Sequence, residues 1–363
     1  MKKILSFVLL LVLLLSTTIP VIAYDSISTE EMSPIINVDT YAREIIYTYI
    51  DMNISGVSAT DEFFISQGFV VDGNPDENSR TYFLFKNNIC VGELTATYIN
   101  GQYISAFSYY ENSFITEAFI ENKPLHFTKE NDSIFAISND SIYTLYGENC
   151  GEIINKNMMI RKYNSSQFST ISLNELPYEN FSDVSSVYSI GQRYLGVIRV
   201  QNDRSPDTGA GLCWAASIAA IGNYCTNIEH DALSLYNLLK TQFPTDGIPE
   251  GILRWKIRAF AQYNIDVIQQ TGGYTFSQVV TKINELIPIY ADIQDSNGNG
   301  GHAVVICGYK STADDIYTYR IMDPNKPAKV DVSVPQPTLA YFYYPAGTYT
   351  YTDWKYALSE VIT

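Results

Sequence analysis

The sequence predicts an α+β protein in two modules. Three observations carry the prediction. In residues 24–162 one helical apolar rhythm is followed by short runs of alternating polar and apolar residues. In residues 187–363 several helical stretches come first and strand-like runs come last. Between them, residues 163–186 ("YNSSQFSTISLNELPYENFSDVSS") are rich in Ser and Asn and have little periodicity, so they read as a linker. With 363 residues, 46% hydrophobic and 17% charged, the chain has the length for two domains and the composition of a core-forming protein.

Residues 1–23 read as a signal peptide. Lys2 and Lys3 supply a basic start, "ILSFVLLLVLLL" an apolar stretch and Val21-Ile22-Ala23 a small-residue cleavage site. The apolar run is shorter than the roughly 20 residues of a membrane span. The expectation is a secreted, extracellular protein with no stable membrane anchor, its mature start near Tyr24.

In the front module, "NVDTYAREIIYTYIDMN" has helical spacing, with Asp39 as a candidate N-cap. "TYFLFKNN", "ICVGELTATYIN", "GQYISAFSYY" and "SIFAISND" read as strands, with a tight hairpin at "NGQ". One helix followed by one antiparallel meander is therefore expected over residues 35–150. The back module opens with a strand, "YLGVIRVQN". A helix follows in "CWAASIAAIGNYC", its stripe formed by Ala215, Ile218, Ala219 and Gly222. "HDALSLYNLLKTQ", "PEGILRWKIRAFAQYN" and "TFSQVVTKINEL" read as further helices, and "DVIQ" as a short strand. "IPIYADIQ", "HAVVICGY" and "IYTYRIMD" read as an antiparallel sheet. The aromatic run "YFYYPAGTYTYTDW" reads as core and strand.

Charge is unevenly shared. Residues 1–185 hold 10 Lys/Arg and 23 Asp/Glu, net −13, and residues 186–363 hold 13 and 16, net −3. An acidic front module argues against nucleic acid, which needs a basic footprint. The five cysteines are Cys90, Cys150, Cys213, Cys225 and Cys307, an odd number that leaves at least one thiol unpaired within the chain. No CxxC or HExxH occurs and there are three histidines, so neither a metal nor a cofactor is expected. Cys90–Cys150 and Cys225–Cys307 are conceivable disulfides. For the second, the odd offset turns Cys307 away from His302, and two buried thiols are the simpler reading.

Cys213 follows the flexible "DTGAGL" and opens a helix. A helix start presents unpaired amide hydrogens and the positive end of the dipole, which favours a thiolate. The plain alternative is a buried structural cysteine. His302, in "NGNGGHAVVICGY", begins an apolar strand behind clearing glycines; its alternative is a satisfied core histidine. Pairing Tyr309 with Ile316 places His302 opposite Asp323, within about 5 Å at the β-carbons. A carboxylate there would hold one ring nitrogen and leave the other for a thiol. Asp323 could instead only start the turn before Pro324, and Asn325 is a second candidate. A hole for a developing oxyanion needs a side-chain amide upstream, for which Gln201 is preferred over Gln192.

Together, Gln201, "CWAA" at 213–216, "NELIPIYADI", "GGHAVVICGY" and "IMDPN" resemble the papain-like cysteine peptidases. The resemblance covers roughly residues 190–325. It is nearest to the secreted bacterial branch that includes staphopain and to the peptidases similar to double-glycine leader-processing domains. It implies a papain-like catalytic domain of helices plus antiparallel sheet, with Cys213 as nucleophile, His302 as general base and acid, Asp323 or Asn325 as its orienter, and Gln201 in the oxyanion hole. One departure stands out: twelve residues separate Gln201 from Cys213, where the family has about six. The resemblance also implies a precursor whose small α+β, cystatin-like or half-barrel front domain contacts the catalytic domain, caps its cleft and is removed by cleavage within 163–195. The resulting expectation is a secreted cysteine endopeptidase acting on protein or peptide substrates through a thioester. The alternatives are a thiol-dependent peptidoglycan hydrolase and a non-catalytic adhesion or inhibitor protein.

Overall fold

Strand alternation and glycine- or asparagine-centred turns dominate the chain. A computed structural model describes residues 34–360 except 55–56, 59, 72–78, 131–132, 139–140, 156–169, 173–188, 296–299, 313–315, 341 and 347–348. The signal-peptide reading and most of the linker reading lie outside the described residues.

The front begins with helix α1 (Pro34–Asn53). It starts five residues before Asp39, so Asp39 is not its N-cap; that carboxylate instead accepts the Tyr82 hydroxyl. Val38, Ala42, Ile46, Tyr49 and Ile50 form its buried stripe. The stripe packs on the antiparallel strands β1 (Phe63–Ser66), β2 (Ser79–Lys86), β3 (Ile89–Ile99) and β4 (Gln102–Tyr109). Ile99 pairs with Gln102 across Asn100 and Gly101, both at positive φ (51° and 80°), as a two-residue hairpin requires. The single meander expected here is incomplete. A second helix, α2 (Ser113–Ile120), is capped by Asn112, whose side chain accepts the Ile115 N–H. A separate four-stranded sheet follows: β5 (His126–Glu130), β6 (Ser133–Ile137), β7 (Ser141–Tyr146) and β8 (Ile153–Asn155). Strand β9 (Thr170–Ser172) falls inside the stretch read as linker and pairs with β1.

The back opens with β10 (Ser189–Tyr194), which ends where "YLGVIRVQN" was expected to begin a strand. Residues 195–202 form no regular element instead, held by single contacts such as Leu195 N–H to the Cys307 carbonyl at 2.7 Å. The helices are α3 (Cys213–Cys225), α4 (Ala232–Gln242), α5 (Leu253–Ala261) and α6 (Phe276–Asn284). Every residue of α3 from Trp214 to Gly222 is buried, so this helix is enclosed on all sides and not merely along the expected stripe. The remaining strands are β11 (Val267–Thr271), β12 (Ile289–Asp295), β13 (Gly301–Thr312), β14 (Tyr317–Met322), β15 (Val330–Ser333), β16 (Tyr344–Ala346) and β17 (Tyr349–Glu360).

These strands join the front meander in one sheet of order β11-β17-β12-β13-β14-β15-β4-β3-β2-β1-β9, with β10 pairing β13 and β16 pairing β17. The junction is the β15–β4 ladder, Val330↔Ser108, Asp331↔Phe107 and Val332↔Ala106. The two modules thus share backbone hydrogen bonds. All five cysteines are free thiols, so neither conceivable disulfide is formed.

Candidate active site

Cys213 is the first residue of α3 and half-buried. Leu212, at the N-cap, offers no side-chain hydrogen bond to the helix. Trp214, beside the thiol, is buried, and its ring is approached by Gly251, where a β-carbon would lie 3.3 Å away. One helical turn after the cysteine, the Ser217 hydroxyl donates to the Ala303 carbonyl at 3.0 Å. That bond ties the cysteine helix to the residue next to His302, and so sets the spacing between thiol and ring.

His302 lies second in β13, paired to Ile293 of β12, and is 4% exposed. Its Nε2 meets Asp323 Oδ1 at 2.8 Å. Cys213 is near enough to the ring to help raise its pKa. With Nε2 held by the carboxylate, Nδ1 is the nitrogen left for the thiol. The expected strand register, however, is wrong. Tyr309 pairs with Tyr319, not Ile316, and a bulge between Ile306 and Gly308 shifts the ladder again to Val305↔Met322. β14 ends at Met322, so Asp323 reaches His302 from the turn beyond the strand and not from a ladder position.

Asp323 is both turn former and ring partner. Its Oδ1 also accepts the Asn325 N–H at 2.8 Å, and its carbonyl accepts the Lys326 N–H at 3.1 Å. Its Oδ2 accepts the Tyr344 hydroxyl at 2.6 Å. The carboxylate is fully buried. Burial would raise its pKa, but the His302 charge, its hydrogen bond and those from Tyr344 and Asn325 prevail and hold it below the usual value. For His302, burial alone would lower the pKa; the Asp323 charge and hydrogen bond, with the Cys213 contact, push it up to about 10. Tyr351 stacks on the imidazole, centroids 5.3 Å apart, and Tyr146 of β7 lies edge-on at 6.4 Å.

The Asn325 side chain is engaged elsewhere, accepting from Asn202 Nδ2 at 2.7 Å. Asn202 N–H and the Arg199 guanidinium both donate to the Pro324 carbonyl, at 3.2 Å each. The segment carrying Gln201 is therefore bonded to the Asp323 turn. The long interval before Cys213 closes on itself. Leu212 N–H donates to the Asp203 carbonyl at 2.7 Å, Arg204 and Gly211 form an antiparallel bridge, and Ser205 N–H donates to Ala210 at 2.8 Å. The insertion is a pinched-off loop, so Gln201 sits two residues before a segment bonded directly to the residue preceding Cys213. Gln201 is half-buried. Gln192 pairs with Lys310, eight residues along β13 from His302, roughly 26 Å away.

Cys90, Cys150 and Cys307 are buried. Desolvation raises the first two strongly, Cys307 up to about 11 and Cys225 up to about 12. Sequence reasoning missed Ser217, Tyr344 and Tyr146. None carries a local signature, since each acts on a group many positions away. Of the other two histidines, His126 begins β5 and His230 packs edge-on against Tyr263. Among the described residues, no group of three or more His, Cys, Asp or Glu could hold a metal ion. Nor is any helix there long and apolar enough to cross a membrane.

Residues 197–351 match the family model described as "Peptidase_C39 like family". A crystal structure from Bacillus anthracis, provisionally described as a C39-like peptidase, is 17% identical, covering 48% of this chain and 98% of that one with a TM-score of 0.29. An overlap of that quality carries no structural argument. No curated protein matches the chain. The family match spans the segment that holds Gln201, Cys213, His302 and Asp323, and it supports a cysteine peptidase, a hydrolase in general terms.

Proposed function

We propose that the chain is a secreted cysteine endopeptidase of the papain-like type, made as a precursor and working through Cys213, His302 and Asp323. The carrying observation is one buried imidazole held on Nε2 by a buried carboxylate, with the thiol at the start of α3 near enough to act on the charge of the ring. In this reading the Cys213 thiolate attacks a peptide carbonyl carbon. The Cys213 N–H and the Gln201 side-chain amide receive the oxyanion. His302, as imidazolium, gives its proton to the leaving amine as the C–N bond breaks, and a thioester remains. The neutral ring then takes a proton from water, which attacks the thioester and returns the free thiol with the carboxylic acid product. Asp323 keeps the ring oriented and stabilises its charged form.

Residues 1–23 serve as the export signal, 24–162 as the front module of the precursor and 187–363 as the catalytic module, with processing in the segment between them. The resemblance to staphopain-like precursors supports this order, as does the helix-on-meander form of the front module. The test is hydrolysis of unfolded protein substrates by the secreted chain, with mass spectrometry of an epoxysuccinyl adduct. Activity lost in Cys213→Ala and an adduct on Cys213 are expected. Equal hydrolysis by Cys213→Ala would end the reading.

A further inference from the structure

Lys326 lies three residues after Asp323, and its ammonium is buried. It pairs at 2.6 Å with Glu93 of β3, the two side chains each 4% exposed. The other Glu93 oxygen accepts the Tyr110 hydroxyl at 3.1 Å. The backbone of the same turn is held as well, since Gly147 N–H donates to the Asn325 carbonyl at 2.9 Å. Tyr146, the preceding residue, lies edge-on to the His302 ring, and the Lys326 ammonium sits 5.5 Å from the Tyr146 ring centroid. Four residues beyond Lys326 the β15–β4 ladder begins. The turn that presents Asp323 is thus gripped from the front module by a charge, a backbone hydrogen bond and a ring.

A segment built to leave needs contact faces that tolerate water on both sides. These do not. Departure of Glu93 would strip a buried cation of its partner, the costly way to break a buried pair. Departure of β4 would leave β15 as an unpaired edge. The Asp323 turn would lose its supports next to the ring that it orients.

We infer that residues 34–155 remain part of the working peptidase after processing, with Glu93 a positioning residue that acts on Asp323 through Lys326. The inference rests on the peptidase reading of Cys213 and His302. Processing need not release the module. β9 is laddered to β1 and β10 to β13, so a cut within 173–188 leaves each new end anchored on its own side.

The test starts from the full chain with a site-specific protease sequence placed within 173–188. The folded protein is cut to completion, passed over a sizing column under native conditions and assayed on peptides. Co-elution of the two pieces with activity no lower than that of the intact chain is expected. Separation with full activity in the back piece would overturn the inference. So would co-elution with activity that appears only when the front piece is stripped away. In the full chain, Glu93→Gln is expected to lower kcat about ten- to a hundredfold, by displacing the turn. KM should change less than about twofold. The paired change Glu93→Leu with Lys326→Met, which leaves no buried charge, should recover most of kcat. An unchanged kcat in Glu93→Gln, or a loss confined to KM, would overturn the positioning role. Should Glu93→Gln fail to fold, the cut-chain result decides. An intact chain that hydrolyses no peptide and takes no epoxysuccinyl label refutes the peptidase reading instead, and elution then decides retention alone.

Discussion

His302 and Asp323 meet at 2.8 Å although no ladder pairing places them opposite each other. The contact is made because the chain turns at Asp323–Pro324 and swings the carboxylate back under the ring. Asp323→Asn keeps the shape and removes the charge. Without that charge, burial dominates and the His302 pKa falls. The alkaline limb of kcat/KM, set by loss of the imidazolium proton, is expected to move down by roughly one pH unit or more. A pH–rate profile of the two proteins checks this. An alkaline limb that stays in place would refute the role.

The same pair makes stability depend on pH. His302 is raised in the folded protein, so its contribution is complete below its ordinary value of 6.5 and is lost as pH rises through about 10. Asp323 is lowered, so its contribution is complete above its ordinary 3.8 and is lost as pH falls through the depressed value. Thermal unfolding of the intact chain should therefore show an alkaline decline that Asp323→Asn flattens. Parallel Tm–pH curves for the two proteins would count against it.

Tyr344 donates to Asp323 Oδ2 at 2.6 Å in a fully buried site. Tyr344→Phe leaves that oxygen without the donor, a loss of about 1–3 kcal/mol. A fall in Tm is expected, with a lowered kcat as the carboxylate loses one of its fixed partners. Denaturation midpoints and single-substrate kinetics measure both. A variant matching the parent in each would show that the hydroxyl does not hold the acid.

Ser217 links the cysteine helix to the histidine strand at 3.0 Å. Ser217→Ala should cost about 1 kcal/mol of stability, the worth of an ordinary buried hydrogen bond. It should also slow alkylation of Cys213 as thiol and ring drift apart. Denaturant titration and timed iodoacetamide labelling give the two readouts. Unchanged labelling would mean that the helix is positioned by packing alone.

Gln201 stands beside the pinched loop that ends at Cys213. If its amide receives the oxyanion, Gln201→Ala lowers kcat by about 10²–10³ while Gln192→Ala, on β10 opposite Lys310 and far from His302, leaves it unchanged. Steady-state kinetics on one peptide decide between them. Equal effects would remove Gln201 from the hole.

Much of the fold was legible because it rests on local chemistry. The Asn100–Gly101 hairpin and the helix opening at Cys213 depend on residues within a few positions. The helix over 113–120 went unread although Asn112 marks its start, because "NSFITEAFI" is too short for apolar periodicity to show. The strand expected at 194–202 failed for another reason. The chain there is apolar, but the backbone hydrogen bonds it makes go to Cys307 and Pro324 and form no ladder. The expected hairpin register failed because the ladder runs on past Tyr309 to Ser311↔Tyr317 and a bulge near Cys307 shifts it again, and neither leaves a mark in residue type.

The sequence by itself determined the local settings of the candidate groups: a thiol at the head of a buried helix, a histidine at the mouth of an apolar strand, an aspartate ahead of a proline. Those follow from short-range preferences of backbone and side chain. Only the tertiary structure decided which oxygen meets the ring, that Tyr344 and Ser217 hold the set in place, and that Glu93 and Tyr146 reach it from the front of the chain. The physical reason is that these contacts join segments 21 to 233 residues apart, where burial and charge pairing select the partner and local sequence carries no record of it.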